Sequence, residues 1–312
     1  MNSLSIAVVI PSFNHERSIE RCLQSVLDQR ETNWTCIVVD DCSSDRTVEI
    51  ATRIAKVDDR VSVVVNERNL GLVGNHNRCL EVAHGDLVKF VHADDWLLPD
   101  CLDKLAGCFV DPAVTFALGG RRVEGGEDWE FGRLNDPLDW SRGSIDGAAL
   151  LNEYVSRGGY GNWFGEPSAV MFRSQTVETV GGFSGLLTQA LDTELWLRLI
   201  GAGAAARVAD ELSVRVHSLG TATERNRKGR TYWLDGVWVL LALSWNEVLP
   251  VPVRLRAKVY AARALRRALI EDWRGLRVED RRAQLRDLML PGRKTRFRRS
   301  LVLTRNGVHA GR

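Results

Sequence analysis

Four short β-branched runs, at 5–10, 35–40, 61–65 and 87–91, are each followed by a stretch with apolar residues at helical spacing, at 19–27, 47–57, 77–83 and 101–109. Such regular alternation leaves few folds open. It predicts an α/β protein in which a mostly parallel sheet is covered by helices on both faces. Sheets of this kind bind ligands in the crevice beyond the carboxyl ends of their strands. The segments to read for chemistry are therefore 11–14, 40–45, 66–71 and 92–96.

After residue 110 the pattern loosens. Residues 119–165 are dominated by glycine and acidic side chains and read as an elaborated surface region. Strand-like runs return at 168–172 and 212–216, with a helix expected at 191–200 and a polar loop at 218–230. The remainder is helical and basic. The 42 Lys and Arg against 40 Asp and Glu give a net charge of +2, but this is a cancellation between segments. Residues 1–250 hold 24 basic and 35 acidic side chains, net −11, whereas 251–312 hold 18 and 5, net +13. The division expected is a body over 1–230 and a basic helical region over 231–312.

Within 254–274, Leu255, Val259, Ala262, Leu265, Leu269 and Trp273 recur at three- and four-residue steps among Arg254, Arg256, Lys258, Arg263, Arg266 and Arg267. Two readings of this amphipathic helix are open: its apolar stripe packs on the body, or it lies on an anionic membrane surface. A nucleic-acid role ranks below both, because no recognised nucleic-acid module accompanies the charge. The N-terminal run has no basic n-region, and the longest uncharged apolar stretch, 236–246, falls short of the roughly 20 residues a spanning helix needs. Six cysteines without a C-x-x-C pair read as reduced thiols. A cytoplasmic protein is expected, peripheral on the inner membrane face if the tail meets lipid.

Glycine-loop signatures for phosphate are missing. Residues 201–206 fit G-x-G-x-x-A, but they follow a helix instead of a strand. Acidic pairs take their place: Asp40 and Asp41 close the second strand, Asp94 and Asp95 the fourth. One such pair is often a turn or a helix cap. Two at the same sheet edge repel unless a cation compensates, and hard oxygen ligands suit Mg²⁺ or Mn²⁺ bridging to substrate phosphates.

The ordered set Pro11-Ser12-Phe13-Asn14, Val38 to Asp45, Asn69-Leu70-Gly71 with Asn77, His92-Ala93-Asp94-Asp95, Gly181-Gly182-Phe183, Leu191 to Leu199 and Arg215-Val216-His217 resembles family 2 of the inverting glycosyltransferases, which have a GT-A fold. The resemblance implies a transferase that moves a sugar from a nucleotide diphosphate sugar to a hydroxyl on a saccharide or lipid-linked acceptor, in polysaccharide or glycolipid synthesis. It places Pro11 and Phe13 at the nucleoside, Asp41 at the base with Asp45 nearby, and Asn69, Gly71 and Asn77 with the donor group. Asp95 is implied as the direct metal ligand and Asp94 as a ribose or metal-water partner. His217 is either a metal or diphosphate ligand or simply the end of a strand. Asp192 is implied as the catalytic base, with the helix N-terminus favouring its charged form, and its alternative role is the N-cap. Trp163 and Glu166 are expected to form part of an acceptor platform.

Two positions depart from the family pattern: Leu191 stands where a carboxylate usually precedes the base, and His92 stands where the metal motif often opens with Asp. Two other classes therefore stay open, a non-catalytic nucleotide-sugar or carbohydrate-binding module and a nucleotidyltransferase.

Overall fold

In the computed structural model, residues 4–125, 143–159, 161–216, 232–271, 288 and 292–301 are described. The first half follows the expected alternation: β1 (Ile6–Ser12), α1 (Ile19–Leu27), β2 (Trp34–Asp40), α2 (Thr47–Ala55), β3 (Val61–Val65), α3 (Gly71–Val82) and β4 (Leu87–Phe90). Strand β1 is buried along all seven residues, as a central parallel strand with helices on both faces must be. Its side chains split by parity. Ile6, Val8 and Ile10 pack with Ile19, Leu23 and Val26 of α1, while Val9 enters the opposite core with Phe90, Phe116 and Trp196.

The chain continues as β5 (Trp96–Leu97), α4 (Cys101–Gly107), β6 (Val114–Glu124), β7 (Ser144–Asp146), α5 (Gly147–Ser156), β8 (Val170–Arg173), α6 (Ser174–Val180), α7 (Leu191–Gly201) and β9 (Ala204–Val216). The strands form one mixed sheet in the order β3-β2-β1-β4-β8-β6-β9-β5, with β7 pairing β9. β1 to β4 are mutually parallel, and β8 runs antiparallel to both β4 and β6.

Part of the 119–165 region is more regular than its composition suggests. β6 runs on to Glu124, and its Gly119 and Gly120 are sites of close approach by β9: a Cβ on Gly120 would lie 2.7 Å from the Asp210 carbonyl oxygen. Register shifts at these glycines bend the pairing. The helix α5 is also there, started by Asp146, whose side chain accepts from the Ala149 N–H at 2.9 Å. Similarly β9 begins at Ala204, eight residues before the expected start, because its small alanines fit between β6 and β7.

Three further helices follow: α8 (Tyr232–Trp245), α9 (Val251–Glu271) and α10 (Arg293–Ser300). The expected boundary at 230/231 does not separate two cores. Val237, Trp238 and Leu240 of α8 share one buried cluster with Phe164, Phe183 and Trp196. Phe297 of α10 packs against Trp238 and Trp245, at ring-centroid distances of 6.0 and 5.8 Å. No helix among the described residues is long and apolar enough to cross a membrane.

Candidate active site

Strand order reverses between β1 and β4, and a crevice of about 950 Å³ opens at their carboxyl ends. Pro11 and the half-exposed Phe13 line one wall. Asp41, also in the lining, is nearly buried, and its carboxylate accepts from the backbone N–H groups of Leu70 at 2.7 Å and Gly71 at 2.8 Å and from Asn66 Nδ2 at 2.9 Å. It therefore fixes the 69–71 turn, where Gly71 takes a left-handed φ of 74°. Asn69 donates to the Asp41 carbonyl oxygen at 3.0 Å. Asp45 accepts from the N–H groups of Thr47 and Glu16, both at 3.0 Å. Burial pushes the Asp45 carboxyl up, but a hydrogen bond from the Thr47 hydroxyl together with these two N–H groups outweighs it and holds it below the ordinary range.

Two non-glycine residues here are left-handed, Asn14 at φ 58° and Cys42 at φ 63°. The surroundings fix both: Asn14 Oδ1 accepts from the Ser44 N–H at 2.8 Å, and the Cys42 thiol donates to the Asn66 carbonyl oxygen at 3.0 Å. Such strain costs on the order of 1 kcal/mol per residue and concentrates at binding sites. Asn77 does not line the crevice. Its amide donates to the Phe183 carbonyl oxygen at 3.0 Å and accepts from the Phe183 N–H at 2.8 Å, which ties α3 to the 181–184 loop.

Past β4, His92, Asp94 and Asp95 each offer one ligand atom, and these lie within 4.8 Å of one another. Asp95 is 3% exposed and accepts from Ser168 Oγ at 2.6 Å and the Val216 N–H at 2.9 Å. Burial, reinforced by the Asp94 charge, lifts its pKa to about 7. Asp94 has no hydrogen-bond partner among the described residues, so it is the less encumbered carboxylate, whereas the sequence reading put Asp95 first as direct ligand. Behind them Lys89 is fully buried and donates to the carbonyl oxygens of Ser168, at 2.5 Å, and Phe90, at 2.9 Å. Two carboxylates and an imidazole fit a divalent cation. His217 lies outside the described residues.

Across the crevice stands α7. Asp192 is not its N-cap: Ala190 holds that position, and the Asp235 carboxylate from α8 accepts from the N–H groups of Thr188, Gln189 and Ala190 at 3.0, 2.6 and 3.0 Å. Asp192, in the first turn, faces the crevice and among the described residues accepts only from its neighbour Thr193, at 2.7 Å to the N–H. Burial dominates, opposed by that N–H and assisted by the charge of Glu166, so its pKa rises to about 7. The helix N-terminus, expected to favour the charged form, is here opposed by burial.

Glu166 shares the crevice but is differently placed. Burial pushes its carboxyl up, yet Arg121 and Arg215 outweigh it and leave it below the ordinary range. Arg215 Nη1 lies 2.5 Å and Arg121 Nη2 2.9 Å from Glu166 Oε1. Trp163 is not on an acceptor platform. It is 3% exposed and packs edge-on to Tyr154 at 4.9 Å. Glu194 is buried and pairs with Arg198, which also donates to the carbonyl oxygens of Val180, Gly181 and Gly182.

The sequence reading missed Arg121 and Asp235 and gave Arg215 no role. Glu166 is 45 and 49 residues from its two arginines, and Asp235 is 45 from Ala190, so no local spacing announces either arrangement.

A family model described as "Glycosyl transferase family 2" matches residues 7–172. The chain is 41% identical over 258 residues to the uncharacterized protein MT1568 of Mycobacterium tuberculosis, covering 82% of this chain and 80% of that one. Among solved structures, Staphylococcus aureus TarS 1-349 in complex with UDP-GlcNAc superposes with a TM-score of 0.63 at 18% identity, over 90% of this chain and 78% of that one. The mannosyltransferase PcManGT from Pyrobaculum calidifontis, in complex with GDP-Man and Mn²⁺, superposes with a TM-score of 0.52 at 18% identity, over 91% and 84%.

Proposed function

The chain belongs to glycosyl transferase family 2, with a GT-A type fold, and on that premise we propose that it is an inverting, metal-dependent glycosyltransferase. It moves a sugar from a nucleotide diphosphate sugar to a hydroxyl of a saccharide or lipid-linked acceptor, in polysaccharide or glycolipid synthesis. The observation that carries this reading is the contrast between two carboxylates in one crevice. Glu166 is held ionised by two arginines, whereas Asp192 has a pKa near 7 and, among the described residues, only its neighbour Thr193 as hydrogen-bond partner. A general base needs a pKa close to the working pH, and Asp192 meets that requirement.

In the displacement, the acceptor oxygen attacks the anomeric carbon opposite the diphosphate, the bond from that carbon to the diphosphate oxygen breaks, and Asp192 takes the acceptor's proton. Asp94 and Asp95 would hold a Mg²⁺ or Mn²⁺, which supplies neutralisation of the charge gathering on the leaving diphosphate. Pro11 and Phe13 contact the nucleoside, and Asp41 and Asp45 set the loops around it. Glu166 keeps Arg215 turned into the crevice. These roles rest on the residues' places in the lining and on the motif order.

The C-terminal region supports a membrane-surface partner. On α9, Val253, Ala257 and Ala261 pack inward, while Val251, Leu255 and Val259 are 56%, 54% and 48% exposed. Lys258, Arg263 and Arg266 are exposed beside them, and the face suits an anionic leaflet such as the cytoplasmic one. The stripe that packs inward is thus not the one picked out in the sequence: Leu255, Val259 and Ala262 face outward, which supports the membrane-surface reading.

The test is nucleoside diphosphate release from UDP- and GDP-sugars with Mn²⁺ and no acceptor, compared between wild type and Asp192→Asn. Release is expected from at least one donor. Pyrophosphate release from a nucleoside triphosphate would instead indicate nucleotidyl transfer, and donor binding without any release would indicate a binding module.

A further inference from the structure

His76 of α3 is 4% exposed, stacked on Phe90 with 5.6 Å between ring centroids and edge-on to Phe183 at 5.3 Å. Its Nδ1 lies 2.8 Å from the Leu72 carbonyl oxygen. A carbonyl only accepts, so Nδ1 carries the proton. A charged imidazolium sealed among aromatic rings is disfavoured, which leaves Nε2 as a bare lone pair. That atom is 3.2 Å from Nε2 of His92. Two lone pairs at that distance repel, so His92 Nε2 must hold its proton and donate. The tautomer of His92 is thereby fixed from behind, with its own lone pair on Nδ1.

That Nδ1 lies 4.0 Å from Asp95 Oδ2, which also accepts from Ser168 Oγ at 2.6 Å, with Asp94 in the same cluster. The two facing atoms are both acceptors, too far apart for a shared proton, and a cation between them completes the arrangement. We propose that His92 Nδ1 is a third protein ligand of the divalent cation, oriented by His76, and that this nitrogen biases the site toward Mn²⁺ and Co²⁺ over Mg²⁺. Imidazole suits transition metals, whereas Mg²⁺ prefers oxygen donors. A carbonyl–histidine–histidine chain of this kind plays the orienting part that outer-shell partners play at other metal sites. The proposal rests on the metal-dependent reading above, and it names a ligand and a preference that the two carboxylates alone do not give.

The experiment uses the full chain with Mn²⁺ alone and reads pulsed electron paramagnetic resonance. Wild type should show the ¹⁴N modulation of a directly bound imidazole. The modulation should vanish in His92→Asp, and Mg²⁺ should then displace Mn²⁺ at about a tenfold lower concentration. His76→Phe keeps the aromatic stack but removes the acceptor, and Mn²⁺ affinity should fall by about 10- to 100-fold with the circular dichroism spectrum unchanged. His92→Gln serves if the Asp variant does not fold. Bound Mn²⁺ without ¹⁴N coupling, or coupling that persists without His92, overturns the ligand assignment and leaves the carboxylate site standing. Absence of saturable Mn²⁺ binding overturns both the assignment and the metal-dependent reading, while donor cleavage in the preceding assay tests transfer separately.

Discussion

If Asp192 is the base, the rate of transfer carries its titration. With a pKa of about 7, the ionised fraction rises from about a tenth at pH 6 to about nine-tenths at pH 8, so kcat should rise roughly tenfold across that interval. A carboxylate at its ordinary value of 3.8 would give a flat profile there. Asp192→Asn should lower kcat by about 10²- to 10⁴-fold, abolish the slope and leave donor affinity within a few-fold of wild type. The same substitution carries a stability signature of known sign. The folded pKa lies above the unfolded one, so the group's stabilising contribution is complete below the unfolded value and is lost as pH rises through about 7. At pH 8 the Asn variant should therefore be more stable than wild type, by about 1–2 kcal/mol once partial exposure is allowed for, and the gain should vanish near pH 4. The assays are initial-rate profiles with a saturating donor and urea unfolding at both pH values. A flat wild-type profile, or an Asn variant with wild-type turnover, would refute the assignment.

Asp235→Ala, which leaves three N–H groups before α7 without their acceptor, should cost about 1–3 kcal/mol and lower kcat, with donor affinity unchanged in a calorimetric titration. His76 is buried and neutral, its pKa lowered by burial to about 3, so its contribution to stability is complete above the unfolded value of 6.5 and is lost as pH falls toward 3. At pH 5 that loss is about 2 kcal/mol, and His76→Asn should have a shallower decline of the urea midpoint between pH 6.5 and 5. Chelation with EDTA should weaken donor binding, and undiminished affinity would count against Asp94 and Asp95 as ligands. Leu255→Glu with Val259→Glu should reduce co-sedimentation with anionic liposomes while transfer to a soluble acceptor continues; unchanged sedimentation would remove the membrane face.

The β1–β4 wall of the crevice was legible because its information is local. Val8, Val9 and Ile10 announce a buried strand, and the segments that follow each strand supply Pro11, Asp41, Gly71 and Asp94 in the order the fold uses them. The opposite wall, around Glu166, Asp192 and Arg215, was not. Glycine at 119 and 120 reads as looseness in a sequence and is close strand packing in three dimensions, because only the partner strand reveals the missing Cβ as necessary. Trp163 reads as part of a sugar platform in the sequence, and its burial against Tyr154 places it in the core instead. The charge of Asp192 depended on burial that no sequence window displays. The pairing of Glu166 with Arg215 depended on β9 being laid beside β6.

The last described residues fold back onto the loop that precedes α7. The Leu301 carbonyl oxygen accepts from the Gly182 N–H at 2.9 Å, Ser300 Oγ meets Ser184 Oγ at 2.8 Å, and Gly181 has no room for a Cβ beneath Leu301. β1 to β4, by contrast, find all their parallel partners within the first 90 residues. This favours an order of assembly: the β1–β4 side can form while the chain is still being made, whereas the 181–184 loop waits for residue 301. Amide exchange should run in reverse, with the 181–184 loop opening first and β1 last.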